Sequence, residues 1–125
     1  MSYKATELAY IASLIDNKGS IRIETPHKAA KSSLYVMVTS PSFKLMEFLQ
    51  FFGAKIGQPT EDGQYRAKWR DNSAGKLLKA VQPWLRLKGL QAEIGIDFID
   101  ERNEISESRD ATYRLRMKLT KASGE

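Results

Sequence analysis

The chain has 125 residues, 42% of them hydrophobic and 28% charged, the size and balance of one folded domain and not of a disordered tail. Its 20 Lys and Arg against 15 Asp and Glu leave a formal charge of +5, which favours anionic partners such as nucleic acid or an anionic surface. With no Cys and a single His, at position 27, thiolate and histidine-rich metal sites and disulfide frameworks are excluded, so any metal would be an oxygen-ligated ion such as Mg2+.

The first periodic segment, Thr6 to Asp16, places Leu8, Ile11, Ala12 and Ile15 at helical spacing, with Thr6 as the expected cap and Glu7 in the first turn. Asn17, Lys18 and Gly19 end it. Ala9, Ala12 and Ser13 are small enough to admit a second helix at close range. Two alternating segments follow, Ser20 to Glu24 and Leu34 to Thr39, separated by a loop carrying Pro26, His27, Lys28 and Lys31. Strict alternation predicts half-buried strands with one face open. A helix is expected over Ser42 to Phe52, with Phe43, Met46, Leu49 and Phe52 inward and Gly53 as its stop.

Short strands at Lys55 to Gln58 and Gln64 to Arg70 flank a turn at Glu61, Asp62 and Gly63. Helices are predicted over Ser73 to Val81, ending before Pro83, and over Gly89 to Asn103, with Ala92, Ile96 and Ile99 buried. A last segment, Glu107 to Lys121, has too irregular an apolar pattern to place. The element order predicts an α+β domain with helices on one face of an antiparallel sheet. Neither an apolar run of about 18 residues nor an apolar leader core in Met1 to Thr6 is present, so no membrane insertion is expected and the chain is read as intracellular.

The most informative strand is Gln64 to Arg70, because alternation sends Tyr65, Ala67 and Trp69 inward and Gln64, Arg66, Lys68 and Arg70 to the open face. The first strand adds Ser20, Arg22 and Glu24 to that face, and the second adds Tyr35, Met37 and Thr39. Arg and Lys suit guanine edges, Gln suits adenine, Glu accepts from the cytosine amine, and apolar groups meet the thymine methyl. The same cations would also serve as solvated residues that keep a sheet edge from aggregating. Lys76, Lys79, Arg86 and Lys88 gather near helix ends, as phosphate-holding residues do and as stems packed over apolar surface also do.

The segment Ile11 to Gly19, IASLIDNKG, followed by Ser20 and Ile21, resembles the motif of the LAGLIDADG homing endonucleases at Ala12, Leu14, Ile15, Asp16 and Gly19. Gln82-Pro-Trp-Leu-Arg-Leu-Lys88 with Gln91-Ala92 is similar to a second segment of its single-motif members. The resemblance spans roughly residues 6 to 100. It implies an αββαββα domain, here expected over 1–105 with a helical extension at 106–125, whose saddle-shaped sheet straddles DNA. One motif per chain implies a homodimer on a pseudo-palindromic double-stranded site, with Leu8, Ala9, Ala12, Ser13 and Asp16 at the twofold.

The resemblance also implies a catalytic set, and here the sequence departs from it. The carboxylate that holds the divalent metal in active members is replaced by Lys18, while Ser40 matches a water-positioning residue and Lys44 and Lys88 match basic ones. Sequence-selective DNA binding with cleavage lost, and with no cofactor, is therefore the first expectation, Lys18 meeting the central phosphates in place of the metal. An active Mg2+-dependent endonuclease, using Asp16 or Glu24, stays open. So do an RNA-binding, maturase-like splicing factor and a plain interaction domain.

Overall fold

The computed structural model describes residues 3–25, 31–102 and 107–122, without the side chains of 107–110 and 122. Helix α1, Ala5–Lys18, begins one residue before the expected cap: Lys4 takes the N-cap position, and its backbone N–H donates to Glu7 Oε1 at 3.3 Å. Thr6 thus lies inside the first turn. Leu8, Ile11, Ala12 and Ile15 form the buried stripe. The helix passes without a linker into strand β1, Gly19–Glu24. Gly19 makes this corner possible, since a Cβ there would stand 2.8 Å from Ile15 Cα and 2.9 Å from the Met37 carbonyl oxygen.

Strand β2, Ser33–Ser40, pairs antiparallel with β1 on one side and with β4, Tyr65–Arg70, on the other. Strand β3 is shorter than expected, Lys55–Ile56, and completes a four-stranded antiparallel sheet in the order β1-β2-β4-β3. Ile21, Ile23, Leu34, Val36, Val38, Ala67 and Trp69 line its closed face as the alternation predicts, while Tyr65 is only half-buried. The Trp69 indole N–H is matched by the Phe52 carbonyl at 2.9 Å, so this large ring is buried without an orphaned donor.

Helix α2, Phe43–Gln50, starts at Ser42, whose Oγ accepts from Leu45 N at 3.2 Å. Phe43 is a correction: it is 57% exposed and rests its ring against Tyr65 instead of entering the core, which Met46, Leu49 and Phe52 do enter. Helix α3, Asn72–Val81, is followed by a 3-10 turn, Gln82–Trp84, and helix α4, Gly89–Asp100. The buried residues of α4 are Gln91, Ala92, Ile94, Gly95 and Phe98, so Ile96 and Ile99, expected inside, are only half-buried.

The C-terminal segment left unplaced by its pattern is helix α5, Glu107–Ala122. Tyr113 and Met117 bury against the protein while Leu115 and Leu119 remain exposed. Tyr113 donates to Glu101 Oε2 at 2.6 Å and lies edge-on to Phe98, which fastens α5 to the end of α4. Helix α5 also packs against β1. Among the described residues the architecture is α+β, five α-helices with one open antiparallel sheet.

Candidate nucleic-acid interface and the end of the first helix

Because residues two apart in a strand share a face, the register sorts the open face into rows. Arg22, Tyr35 and Arg70 form one row, Ser20, Met37, Lys68 and Lys55 the next, and Thr39 with Arg66 a third. Glu24 stands opposite Ser33 at the outer end. Five cations (Arg22, Lys55, Arg66, Lys68 and Arg70) therefore share these strands with Glu24 as the carboxylate of the face. Lys55 is an addition the strand reading missed; its parity within Lys55–Ile56 was the available signal.

Tyr35 sits centrally, with Lys68 Nζ 5.2 Å and Arg70 Cζ 5.6 Å from its ring centroid. Such contacts orient cations that would otherwise repel one another. Arg22 meets Glu24 at 3.5 Å, but both side chains are about half in water, so the pair is weak and open to exchange. Gln64 lies just before β4, where its backbone closes a turn with Thr60, so it stands outside the ladder on which the alternation had put it. Lys31 is exposed ahead of β2, and Lys28 lies outside the described residues.

At the end of α1, Asp16 is 7% exposed and both oxygens of its carboxylate accept backbone hydrogen bonds. Oδ2 accepts from Arg86 N at 2.7 Å, and Oδ1 accepts from Leu87 N at 3.2 Å and Lys88 N at 3.0 Å. Three successive backbone N–H groups thus cradle one carboxylate at the start of α4. In return, Lys88 Nζ donates to the Ile15 carbonyl at 3.0 Å and the Asp16 carbonyl at 2.7 Å, satisfying the last turn of α1 where the helix dipole is negative. Lys88, expected at a phosphate, spends two of its three protons on this helix end and keeps one.

Lys18 is exposed at the last position of α1, beside the start of β1. Ser40, matched to a water-positioning residue, shares the parity of Leu34, Val36 and Val38, is 4% exposed, and its Oγ accepts from Ser42 N at 3.1 Å. It shapes the entry to α2 and does not present a hydroxyl to the open face. Lys44 is exposed in the first turn of α2. Lys121 of α5 comes within electrostatic range of Arg22, Glu24 and Lys88. Partial desolvation lowers its pKa, the charges of Arg22 and Lys88 lower it further, and Glu24 opposes the shift.

The expected pairing face of α1 is split. Leu8, Ala12 and Asp16 of the expected set are buried within the protomer, while Ala9 and Ser13 face outward. What α1 offers outward is a stripe of Thr6, Ala9, Tyr10, Ser13 and Asn17, with Asn17 Nδ2 donating to the Ser13 carbonyl at 2.9 Å.

A divalent metal of the kind implied by the motif needs an unspent oxygen ligand at the end of α1. The residues there do not fit: both Asp16 oxygens hold backbone N–H groups in a nearly closed site, and the exposed residue two positions on is a cation, Lys18. Among the described residues, no three His, Cys, Asp or Glu side chains group together to supply an alternative. No helix among them is long and apolar enough to cross a membrane.

No protein-family model matches the sequence, and neither does any curated protein. Solved structures do match its fold. The homing endonuclease I-CvuI in complex with its target superposes with a TM-score of 0.74 at 17% identity, over 94% of this chain and 81% of that one. The archaeal intron-encoded homing endonuclease I-Vdi141I, complexed with DNA, gives 0.76 at 10% identity over 92% and 84%. The LAGLIDADG meganuclease I-AabMI, bound to uncleaved DNA, gives 0.69 at 13% identity, over 86% of this chain but 43% of its own. The chain has the LAGLIDADG homing endonuclease fold.

Proposed function

From this fold we infer that the chain belongs with the LAGLIDADG homing endonucleases and that it binds double-stranded DNA sequence-selectively as a homodimer, without cleaving it. The open sheet face supplies the readers. A ribbon of antiparallel strands fits the major groove, where Arg22, Arg66, Lys68 and Arg70 meet guanine edges or phosphates, Glu24 accepts from cytosine, and Met37 meets a thymine methyl. Two copies, meeting along the outward stripe of α1, would present two such faces to a pseudo-palindromic site.

The observation that carries the loss of cleavage is the state of Asp16. Its carboxylate is taken up by the Arg86, Leu87 and Lys88 backbone N–H groups, and Lys18, two residues on, stands exposed at the end of the helix. Phosphodiester cleavage in a two-metal or one-metal scheme requires a carboxylate that places the ion at the reacting phosphate. A lysine there attracts the phosphate itself and repels the ion.

The test is selection from a randomised duplex library in Mg2+ and in EDTA, scoring bound and cut molecules separately. An intact, roughly palindromic duplex enriched equally in both is the expected result. Cutting confined to Mg2+ would overturn the loss of cleavage, and preference for structured RNA over every duplex would overturn the DNA assignment. In the same assay Lys18→Ala should reduce the slope of log K against log salt by about two per dimer, one for each lysine withdrawn from phosphate.

A further inference from the structure

Resting on the reading of the open sheet face as a DNA-binding surface, we infer that Arg70 is its guanine-specifying residue and that Asp71 is the positioning residue which holds Arg70 for that task. The cations of the face are not equivalent. Arg22 is met by Glu24, and Lys68 rests on Tyr35. Arg70 is held from three directions: Nε lies 3.3 Å from Asp71 Oδ2, Nη2 donates to Ser33 Oγ at 3.3 Å, and the guanidinium stands 5.6 Å from the Tyr35 ring centroid.

The pattern of these bonds decides what remains. Nε and Nη2 form one edge of the guanidinium plane, and that edge faces the protein. Three protons remain, both of Nη1 and one of Nη2, and the terminal edge presents one from each nitrogen, a fork matched to two acceptors side by side. Guanine presents such a pair, O6 and N7, in the major groove. Arg70 is also about half in water, so each contact alone is weak and it is the three together that bias the fork; a fork so biased loses less rotamer freedom on docking and fails when its two acceptors are displaced, which is how a held arginine acquires base selectivity.

Asp71 is itself over-determined. It adopts φ 54°, ψ −120°, a conformation rare for any residue but glycine. Its Oδ1 accepts from Leu34 N at 3.1 Å and meets Arg102 Nη1 at 2.7 Å, and its N–H donates to the Leu34 carbonyl at 2.8 Å. With Oδ1 committed to β2 and Arg102, Oδ2 is left directed at Arg70. The strained residue therefore ties the reading arginine to the helical side of the protein.

Arg70 shares a row with Arg22, three residues along β1 from Gly19, about 10 Å from the end of α1. The specified guanine should accordingly recur once in each half-site, away from the centre. Selection on the randomised library should recover that guanine with wild type. Arg70→Lys keeps the charge but has no fork, so preference at that one position should fall about tenfold to a hundredfold while other positions and the salt slope hold. Asp71→Asn, whose side chain tolerates positive φ, should weaken the same position and no other. Should Asp71→Asn fail to fold, Ser33→Ala releases the Nη2 bond and should weaken that position too.

Unchanged guanine preference in Arg70→Lys, or a loss of affinity uniform across all sequences, would overturn the assignment of Arg70. Unchanged preference in both Asp71→Asn and Ser33→Ala would overturn the positioning role. If wild type enriches no duplex, the DNA-binding reading fails, and this inference with it; that result is distinct from wild-type selection that Arg70→Lys leaves intact.

Discussion

Replacing Asp16 by Asn tests whether this carboxylate is a structural clasp or a spare metal ligand. The carboxylate accepts three hydrogen bonds at 2.7, 3.0 and 3.2 Å in a site only 7% exposed. An amide offers one acceptor oxygen where the carboxylate offered two, and it turns an NH2 group toward backbone donors. Hydrogen bonds to charged groups contribute about 1.5–3 kcal/mol each, and they overlap when they share one acceptor group. Asp16→Asn should therefore cost about 3–4 kcal/mol, a drop in Tm of about 10–15 °C for a chain of this length. Thermal unfolding followed by circular dichroism, with and without Mg2+, reads it. A fall of less than about 2 °C, together with loss of Mg2+-dependent stabilisation in the variant, would show that Asp16 is a ligand and refute the clasp.

Gly19→Ala forces a methyl against Ile15 Cα and the Met37 carbonyl, both backbone atoms unable to rotate away, so chemical denaturation should show a loss of about 2–3 kcal/mol. Lys121 gives a pH dependence. Its lowered pKa means that the unfolded chain binds more protons between the folded and unfolded values, so stability rises with pH across that window and is least favoured on its acid side. Lys121→Met should flatten this rise in alkaline unfolding curves, and an unchanged pH profile would exclude the partial desolvation and repulsion described for it.

The strands were the most legible part of the chain, because a period of two leaves little choice once one face is apolar. Arg22, Tyr35, Arg66, Lys68 and Arg70 stand on the open face where alternation put them. By the same rule Ser40 falls in step with Val36 and Val38, on the closed face of the sheet. Helix faces were less determinate. Ala12 is small, as a close helix contact requires, but at four residues from Leu8 and three from Ile15 it belongs to the protomer's core stripe. The cradle around Asp16 lay beyond local pattern altogether, because its donors are backbone groups some 70 residues away and backbone N–H groups leave no mark in a sequence. For Asp71, likewise, nothing in the residue order signals a positive φ.

The reciprocal bonding between the end of α1 and residues 86–88 also governs how the protein is assembled. Its contacts join residues 70 to 73 positions apart, so the loop they close takes in more than half of the chain. Closing so long a loop is entropically late and raises the contact order on which folding speed depends. A nascent chain that stops at the end of α3 lacks both the cradle for Asp16 and the Lys88 ammonium, although the Gly19 N–H already reaches the Ile15 carbonyl. The end of the first helix thus gains its full set of partners only once residues 86–88 have docked, while the rest of the helix is held by β1, β2 and α3.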